Sequence, residues 1–260
     1  MTDRTPLIAG NWKMNLDHLQ AIALIQKLAW TLNEKNHDFK DVEVCVIPPF
    51  TSLRSAQTLI EAEKFELSLG AQDISRHGAG AYTGEISGAM LAKLAVKYAL
   101  VGHSERRQYH DEEDELVAAK VAACFASNIT PIICVGETQE QLHEHGPSAI
   151  PVRQTLAALE QQENLKDFVI AYEPVWAIGT GEVATPEQAE NVAAEIRSAI
   201  ATRFGEAADQ VRILYGGSVK AGNVAGFMQG SNIDGVLVGG ASLDSDEFAG
   251  IARYKKHIVL

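Results

Sequence analysis

Cysteine is scarce in this chain of 260 residues, which has only Cys45, Cys124 and Cys134. An odd number of cysteines argues against a disulfide framework, and none of the three lies in the C-x-x-C spacing that zinc ribbons use. The chain therefore does not resemble a small secreted scaffold. We expect a protein of the reducing cytoplasm.

Long apolar runs are also missing, since none approaches the roughly 18 residues that a membrane-spanning helix requires. The first apolar stretch, residues 7–10, is too short for the core of a secretory signal, and we expect no such signal. Basic residues are outnumbered, because 22 Lys and Arg face 34 Asp and Glu for a net charge of −12. This charge repels nucleic-acid and anionic lipid surfaces, so we expect neither as a partner.

Common cofactor motifs are absent as well. No Gly-Lys dipeptide occurs, which excludes a P-loop, and the glycines of residues 78–84 lack the spacing of a dinucleotide-binding turn. Residues 102–106 have Arg where a nucleophile elbow needs its last Gly. His143 and His145, two residues apart, would not share a helix face as metal ligands. We therefore expect chemistry that needs no cofactor and no metal.

Short apolar runs alternate with longer amphipathic stretches along the whole chain. Several runs are rich in Val and Ile at successive positions, which is typical of parallel strands buried on both faces. The eight predicted strands are 7–12, 42–47, 67–72, 98–102, 130–135, 168–172, 211–214 and 235–238. The clearest predicted helices are 16–32, 112–127 and 185–204, the last opening with Thr185 and Gln188 as a capping box.

This alternation, without a linker or low-complexity break, predicts an α/β protein: one (β/α)₈ barrel domain over residues 1–260. A doubly wound open sheet has the same alternation and remains the alternative, because periodicity alone does not separate the two.

Polar residues follow several of the predicted strands. In a barrel they would share the carboxyl-terminal rim, where active sites of such folds lie. A single polar residue is weak evidence for an active site, since a polar residue or a glycine pair after a strand is usually part of an ordinary turn.

Four of these segments together resemble the triosephosphate isomerase family. They are Asn11-Trp12-Lys13, residues 101–107 (VGHSERR), residues 171–181 (AYEPVWAIGTG) and residues 215–219 (YGGSV). The resemblance covers essentially the whole chain in the family's order, and the eleven-residue segment is highly specific. It implies a (β/α)₈ barrel and the interconversion of dihydroxyacetone phosphate and D-glyceraldehyde 3-phosphate through an enediolate, in glycolysis and gluconeogenesis.

The resemblance also implies roles for individual residues. Glu173 would be the carboxylate base that moves a proton between adjacent carbons. His103 would polarise the substrate carbonyl as a neutral imidazole, a pattern that this family itself exemplifies. The helix that keeps the imidazole neutral would begin near Ser104.

Lys13 would supply positive charge and Asn11 an uncharged donor to the substrate oxygens. Glu105 would pair with Lys13 and fix its ammonium group, although Arg106 and Arg107 are alternative partners for that carboxylate at the surface.

Backbone N–H groups would bind the phosphate. The resemblance assigns contacts to Gly239, Gly240, Ser218 and Gly179, and a short helical segment from Gly240 would present its N-terminus to the anion. Residues 175–184 would form a lid that excludes water, as lids of this family do. The lid departs from the common family pattern at Glu182-Val183-Ala184, where many members have Lys-Thr-Ala or Lys-Ser-Ala.

Residues 80–85 resemble a protruding loop that inserts into a partner subunit, so we expect a homodimer. Two other classes of function remain open from the residues alone. A barrel aldolase could use Lys13 for a Schiff base, but Glu105 as a partner would keep that amine charged. A non-catalytic barrel would be expected to lack the base or the electrophile, whereas both are present.

Overall fold

Eight short strands alternate with helices and close into a parallel barrel in strand order β1 to β8. The computed structural model describes residues 4–177 and 182–257. The strands are β1 (Leu7–Asn11), β2 (Glu43–Ile47), β3 (Ser68–Ala71), β4 (Tyr98–Val101), β5 (Thr130–Val135), β6 (Val169–Tyr172), β7 (Arg212–Tyr215) and β8 (Gly235–Val238). The helices are α1 (His18–Glu34), α2 (Phe50–Glu63), α3 (Gly88–Lys93), α4 (Ser104–Tyr109), α5 (Asp114–Ala126), α6 (Gln139–His145), α7 (Ala149–Ala158), α8 (Pro186–Phe204), α9 (Val224–Phe227) and α10 (Ser245–Ala252).

The barrel confirms the predicted fold class and excludes the open sheet. All eight strands lie within one residue of their predicted ends. The first helix begins at His18, two residues later than predicted, because Asp17 is its N-cap and forms a capping box with Gln20. The predicted capping box of Thr185 and Gln188 is present at the start of α8.

Pairing of the first strand with the last closes the barrel. Leu7 lies opposite Gly235, and the register continues to Gly10 opposite Val238. Gly235 has a φ of 151°, and a Cβ built on it would lie 2.0 Å from the carbonyl oxygen of Leu7. Closure therefore requires a residue without a side chain at this position.

The hydrophobic core has two layers. One fills the barrel interior with small and branched side chains and one aromatic ring: Leu7, Ala9, Cys45, Ile47, Tyr98, Leu100, Ile132, Cys134, Val169, Ala171, Leu214 and Leu237. The other, larger layer lies between the outer face of the barrel and the helices, and it includes Trp12, Ile25, Phe168 and Phe248.

Within residues 4–177 and 182–257, no helix is long and apolar enough to cross a bilayer.

A charged cluster ties together strand beginnings at the opposite rim of the barrel. Glu43, at the start of β2, accepts hydrogen bonds from Lys97, Ser68, Tyr98 and Arg212 over 2.5–3.0 Å. Burial alone would raise the pKa of Glu43, but hydrogen bonds and charge from these neighbours lower it from 4.5 to about 2. The cluster therefore stabilises the folded state through the ionised carboxylate.

We expect Glu43→Gln to lower the free energy of unfolding at neutral pH by about 2 kcal/mol, since charge-assisted hydrogen bonds are lost. Because the folded-state pKa is depressed, this contribution is present above pH 4.5 and is lost as pH falls toward 2. Denaturant unfolding as a function of pH measures the difference between variant and parent. The exposed residue Glu63 provides the control Glu63→Gln. A difference that stays constant on acidification would contradict this account.

Candidate active site

Side chains from separate strands meet at the carboxyl-terminal rim. Asn11 is the last residue of β1, His103 follows β4 by two residues, and Glu173 follows β6 directly. All three are nearly inaccessible to solvent, at 4%, 5% and 2% exposure. They line one cavity of about 410 Å³, which is also lined by Lys13, Ser218, Gly239 and Gly240.

The carboxylate of Glu173 is held at both oxygens. The backbone N–H of Ser104 donates to Oε2 over 2.9 Å, and Oε1 lies 2.9 Å from Nε2 of His103. The backbone N–H of Glu173 donates to the carbonyl of Val135 over 2.7 Å. A Cβ built on Gly136 would lie 1.7 Å from the carbonyl oxygen of Glu173, so only glycine allows this close approach.

Burial alone would raise the pKa of Glu173. The charge and hydrogen bond of His103 outweigh this effect, with smaller contributions from the Ser104 N–H and from Lys13, so the pKa lies below its ordinary value. The group is thus a carboxylate at neutral pH and available as a base.

The hydrogen bonds of His103 define the state of its ring. The backbone N–H of Glu105, in the first turn of α4, lies 3.2 Å from Nδ1. That nitrogen must accept, so the ring proton is on Nε2 and faces Glu173. Burial lowers the pKa of His103, but the nearby carboxylate of Glu173 outweighs it and the pKa is raised. Most of this effect comes from contact with Glu173, with a smaller contribution from the Glu105 carboxylate, whereas the backbone N–H of Glu105 favours the neutral ring.

Lys13 lies beside these groups with its backbone in the left-handed region, at a φ of 52°. Its Nζ is 2.5 Å from Oε1 of Glu105, which confirms that predicted ion pair. The alternative partners are engaged elsewhere, since Arg106 pairs with Glu112 and Arg107 pairs with Asp114.

Three of the four predicted phosphate contacts, Ser218, Gly239 and Gly240, line the same cavity. Gly239 and Gly240 follow β8, and a short 3-10 turn, Gly240–Leu243, begins there as expected. Ser218 is exposed at the cavity after β7. Residues 178–181 of the predicted lid, which include Gly179, lie outside the described residues.

The described start of the predicted lid, Val175–Ala177, is a single 3-10 turn. Nε1 of Trp176 donates to Oε1 of Glu137 over 2.8 Å, and the hydroxyl of Tyr172 donates to the same oxygen over 2.9 Å. Burial raises the pKa of Glu137 to about 6. Through these two hydrogen bonds, Glu137 joins the end of β6 to this turn.

Sequence reasoning missed two residues beside the site. Gln72, counted as the end of the third strand, instead follows β3 and contacts the backbone of Lys13. Lys220 directly follows the matched segment 215–219 and lines the same cavity as Glu173 and His103. A polar residue directly after a strand was the available signal for Gln72. Cys134 is fully buried in the barrel interior, as expected of a packing residue.

Among residues 4–177 and 182–257, no group of three or more His, Cys, Asp or Glu side chains is arranged to hold a metal ion.

The chain is similar to known proteins over nearly its whole length. The family model described as "Triosephosphate isomerase" matches residues 6–255. The chain is 62% identical to "Triosephosphate isomerase" of Leifsonia xyli subsp. xyli, covering 98% of this chain and 99% of the relative. It is 57% identical to the protein of the same name from Streptomyces coelicolor, again covering 98% and 99%. The crystal structure of triosephosphate isomerase from Bartonella henselae matches with a TM-score of 0.86 at 32% identity, covering 97% of this chain and 99% of that chain.

The contact between Gly136 and Glu173 generates a test of the site's packing. We expect Gly136→Ala to destabilise the protein by about 3 kcal/mol and to lower Tm by roughly 6–12 °C, because the added methyl group must displace the backbone of Glu173. Gly222→Ala is the control, since a Cβ at Gly222 meets no atom within 4 Å. Equal Tm values for the two variants would contradict the predicted crowding.

Proposed function

The chain belongs to the triosephosphate isomerase family, and on that premise we propose which of its residues carry out the reaction. The chain catalyses the interconversion of dihydroxyacetone phosphate and D-glyceraldehyde 3-phosphate, a step of glycolysis. The observation that most supports the assignment is the contact of Glu173 with His103 in one cavity.

In this proposal Glu173 removes the proton from the carbon next to the substrate carbonyl. Its lowered pKa keeps it ionised, and its burial removes the water that would otherwise compete for the carboxylate. The hydrogen bonds from His103 and Ser104 must be exchanged for contact with the substrate. The same carboxylate then returns the proton to the neighbouring carbon of the enediolate.

His103 is the electrophile of the proposal. Its Nε2–H, freed from Glu173, donates to the substrate carbonyl oxygen as negative charge develops there. Nε2 then gives its proton to this oxygen and takes up the hydroxyl proton of the adjacent oxygen, which leaves the ring neutral and completes the proton transfer between the two oxygens. When Glu173 turns away, the largest influence that raises the pKa of His103 is withdrawn and only the weaker effect of the Glu105 carboxylate remains, while burial, the charge of Lys13 and the Glu105 N–H favour the neutral ring. A neutral ring can donate to each oxygen without leaving an uncompensated buried cation.

Lys13 and Asn11 complete the proposed catalytic set. The ammonium group of Lys13 compensates the charge of the enediolate and the phosphate, and the amide of Asn11 donates to a substrate oxygen. Backbone N–H groups at Gly239 and Gly240, with Ser218 and Gly179, bind the phosphate in this proposal. Positive potential supplied locally lets a protein of net charge −12 bind an anionic substrate.

We further propose that residues 1–260 form one barrel domain that works in the cytoplasm as a homodimer. Three free, buried cysteines support the reducing compartment. Exposed apolar side chains support the dimer: Met14 and Tyr109 line a second cavity beside Lys13, and Tyr82 lies on the loop of residues 80–85. In the proposed dimer, this loop of one subunit packs beside Lys13 of the other.

Replacing the proposed base tests the mechanism. We expect Glu173→Gln to reduce kcat by at least about 10³-fold while a bound substrate analogue keeps most of its affinity, because the amide cannot accept the proton. A coupled assay with glyceraldehyde 3-phosphate and a titration with the analogue provide both values. The exposed surface variant Glu144→Gln serves as control. A well-folded Glu173→Gln protein with more than about a tenth of the parent activity would reject the assignment.

The proposed dimer is tested at the loop tip. We expect sedimentation equilibrium to give twice the 28.1 kDa chain mass at low micromolar concentration, and Tyr82→Asp to shift it toward the monomer with reduced activity. Trp30→Asp on α1 is the matched control, because Trp30 is also an exposed aromatic residue. A fully active parent monomer would show that the partner subunit is not required.

A further inference from the structure

The backbone of Lys13 adopts a conformation that the residue does not favour by itself. Its φ of 52° lies in the left-handed region, which disfavours residues with a Cβ. The direction of the Cα–Cβ bond depends on this conformation, so relaxation to an ordinary one would redirect the side chain. Contacts from outside the residue must therefore hold Lys13 in place.

Two side chains make such contacts, one on each side of the residue. Oδ1 of Asn11 accepts the backbone N–H of Lys13 over 3.0 Å. Nε2 of Gln72 donates to the carbonyl oxygen of Lys13 over 2.7 Å and to that of Ile47 over 3.1 Å. Both partners of Gln72 are carbonyls, which only accept, so the orientation of its amide is determined by the contacts.

These contacts connect the ends of neighbouring strands. Gln72 directly follows β3, Ile47 is the last residue of β2, and Ile47 also accepts the N–H of Trp12 over 3.1 Å. One amide thus joins Lys13 to two strand ends. The carboxylate of Glu105 holds the ammonium group at the far end of the same side chain.

We propose that Gln72 is a positioning residue for the isomerisation, which acts by holding the carbonyl of Lys13 so that the ammonium group points into the active site. The proposal rests on the proposed role of Lys13. Gln72 itself touches no reacting atom in this account. It acts through the backbone of Lys13, and its effect on turnover should disappear when there is no ammonium group to position.

The test is a double-mutant cycle with Gln72→Met in two backgrounds, the parent and Lys13→Gly. Glycine adopts the left-handed conformation without strain, so position 13 no longer needs the contact with Gln72. Glycine also has no ammonium group, so loss of that contact can no longer displace one. We expect Gln72→Met to lower kcat/KM by roughly 10- to 100-fold in the parent, as small displacements of catalytic groups do. In the Lys13→Gly background, we expect a change of less than about 2-fold.

A merely structural role would produce a different pattern. Gln72→Met would then lower Tm in both backgrounds and leave kcat/KM of the folded protein unchanged.

Gln57→Met is the matched control, because Gln57 is a buried glutamine on α2. Sedimentation of each variant at the assay concentration separates loss of positioning from loss of the proposed dimer. If Gln72→Met does not fold, the isosteric Gln72→Glu gives the same test, since a carboxylate cannot donate to two carbonyls.

The outcomes distinguish this inference from the proposed function. An impaired Lys13→Gly protein with an unimpaired Gln72→Met protein overturns the role of Gln72 alone. Equal losses from Gln72→Met in both backgrounds overturn it too, because the residue would then act independently of Lys13. A fully active Lys13→Gly protein rejects the role of Lys13, and the positioning role falls with it.

Discussion

Closure of the barrel between β1 and β8 is the constraint on which the active site depends. The pairing brings Asn11, at the end of β1, next to the turn at Gly239 and Gly240 after β8. The other strands follow around the ring in chain order, and the segments after β4 and β6 provide His103 and Glu173. Residues that are far apart in the sequence thus share one cavity because the sheet has no free edge between them.

Within this frame, charged groups of the site compensate one another before substrate binds. Glu173 contacts His103, and Lys13 contacts Glu105. An unpaired charge on the buried Glu173 would destabilise the fold, so its contact with His103 makes the carboxylate tolerable there, whereas the Lys13–Glu105 pair is partly exposed. Substrate binding in the proposed mechanism is then an exchange of partners, in which the substrate oxygens replace the carboxylate of Glu173 at His103.

Local patterns predicted the strands well, because parallel strands buried on both faces are continuous apolar runs between polar turns. They did not separate a closed barrel from an open sheet, since closure depends on pairing between residues such as Leu7 and Gly235 at opposite ends of the chain. The Lys13–Glu105 pair followed from the family resemblance. The contact of Gln72 with Lys13 did not, because it depends on a backbone dihedral angle that no residue pattern encodes.

The Glu43 cluster has a consequence for how this protein tolerates sequence change. Its members, among them Ser68, Tyr98 and Arg212, begin the strands whose other ends lead into the active site. The length of the barrel therefore separates groups that stabilise the fold from the groups proposed to perform the chemistry. We therefore expect substitutions that increase stability at the Glu43 rim to leave the geometry of the opposite rim intact. This separation of the two rims lets evolution or engineering raise the thermal stability of the protein without the usual loss of catalytic rate.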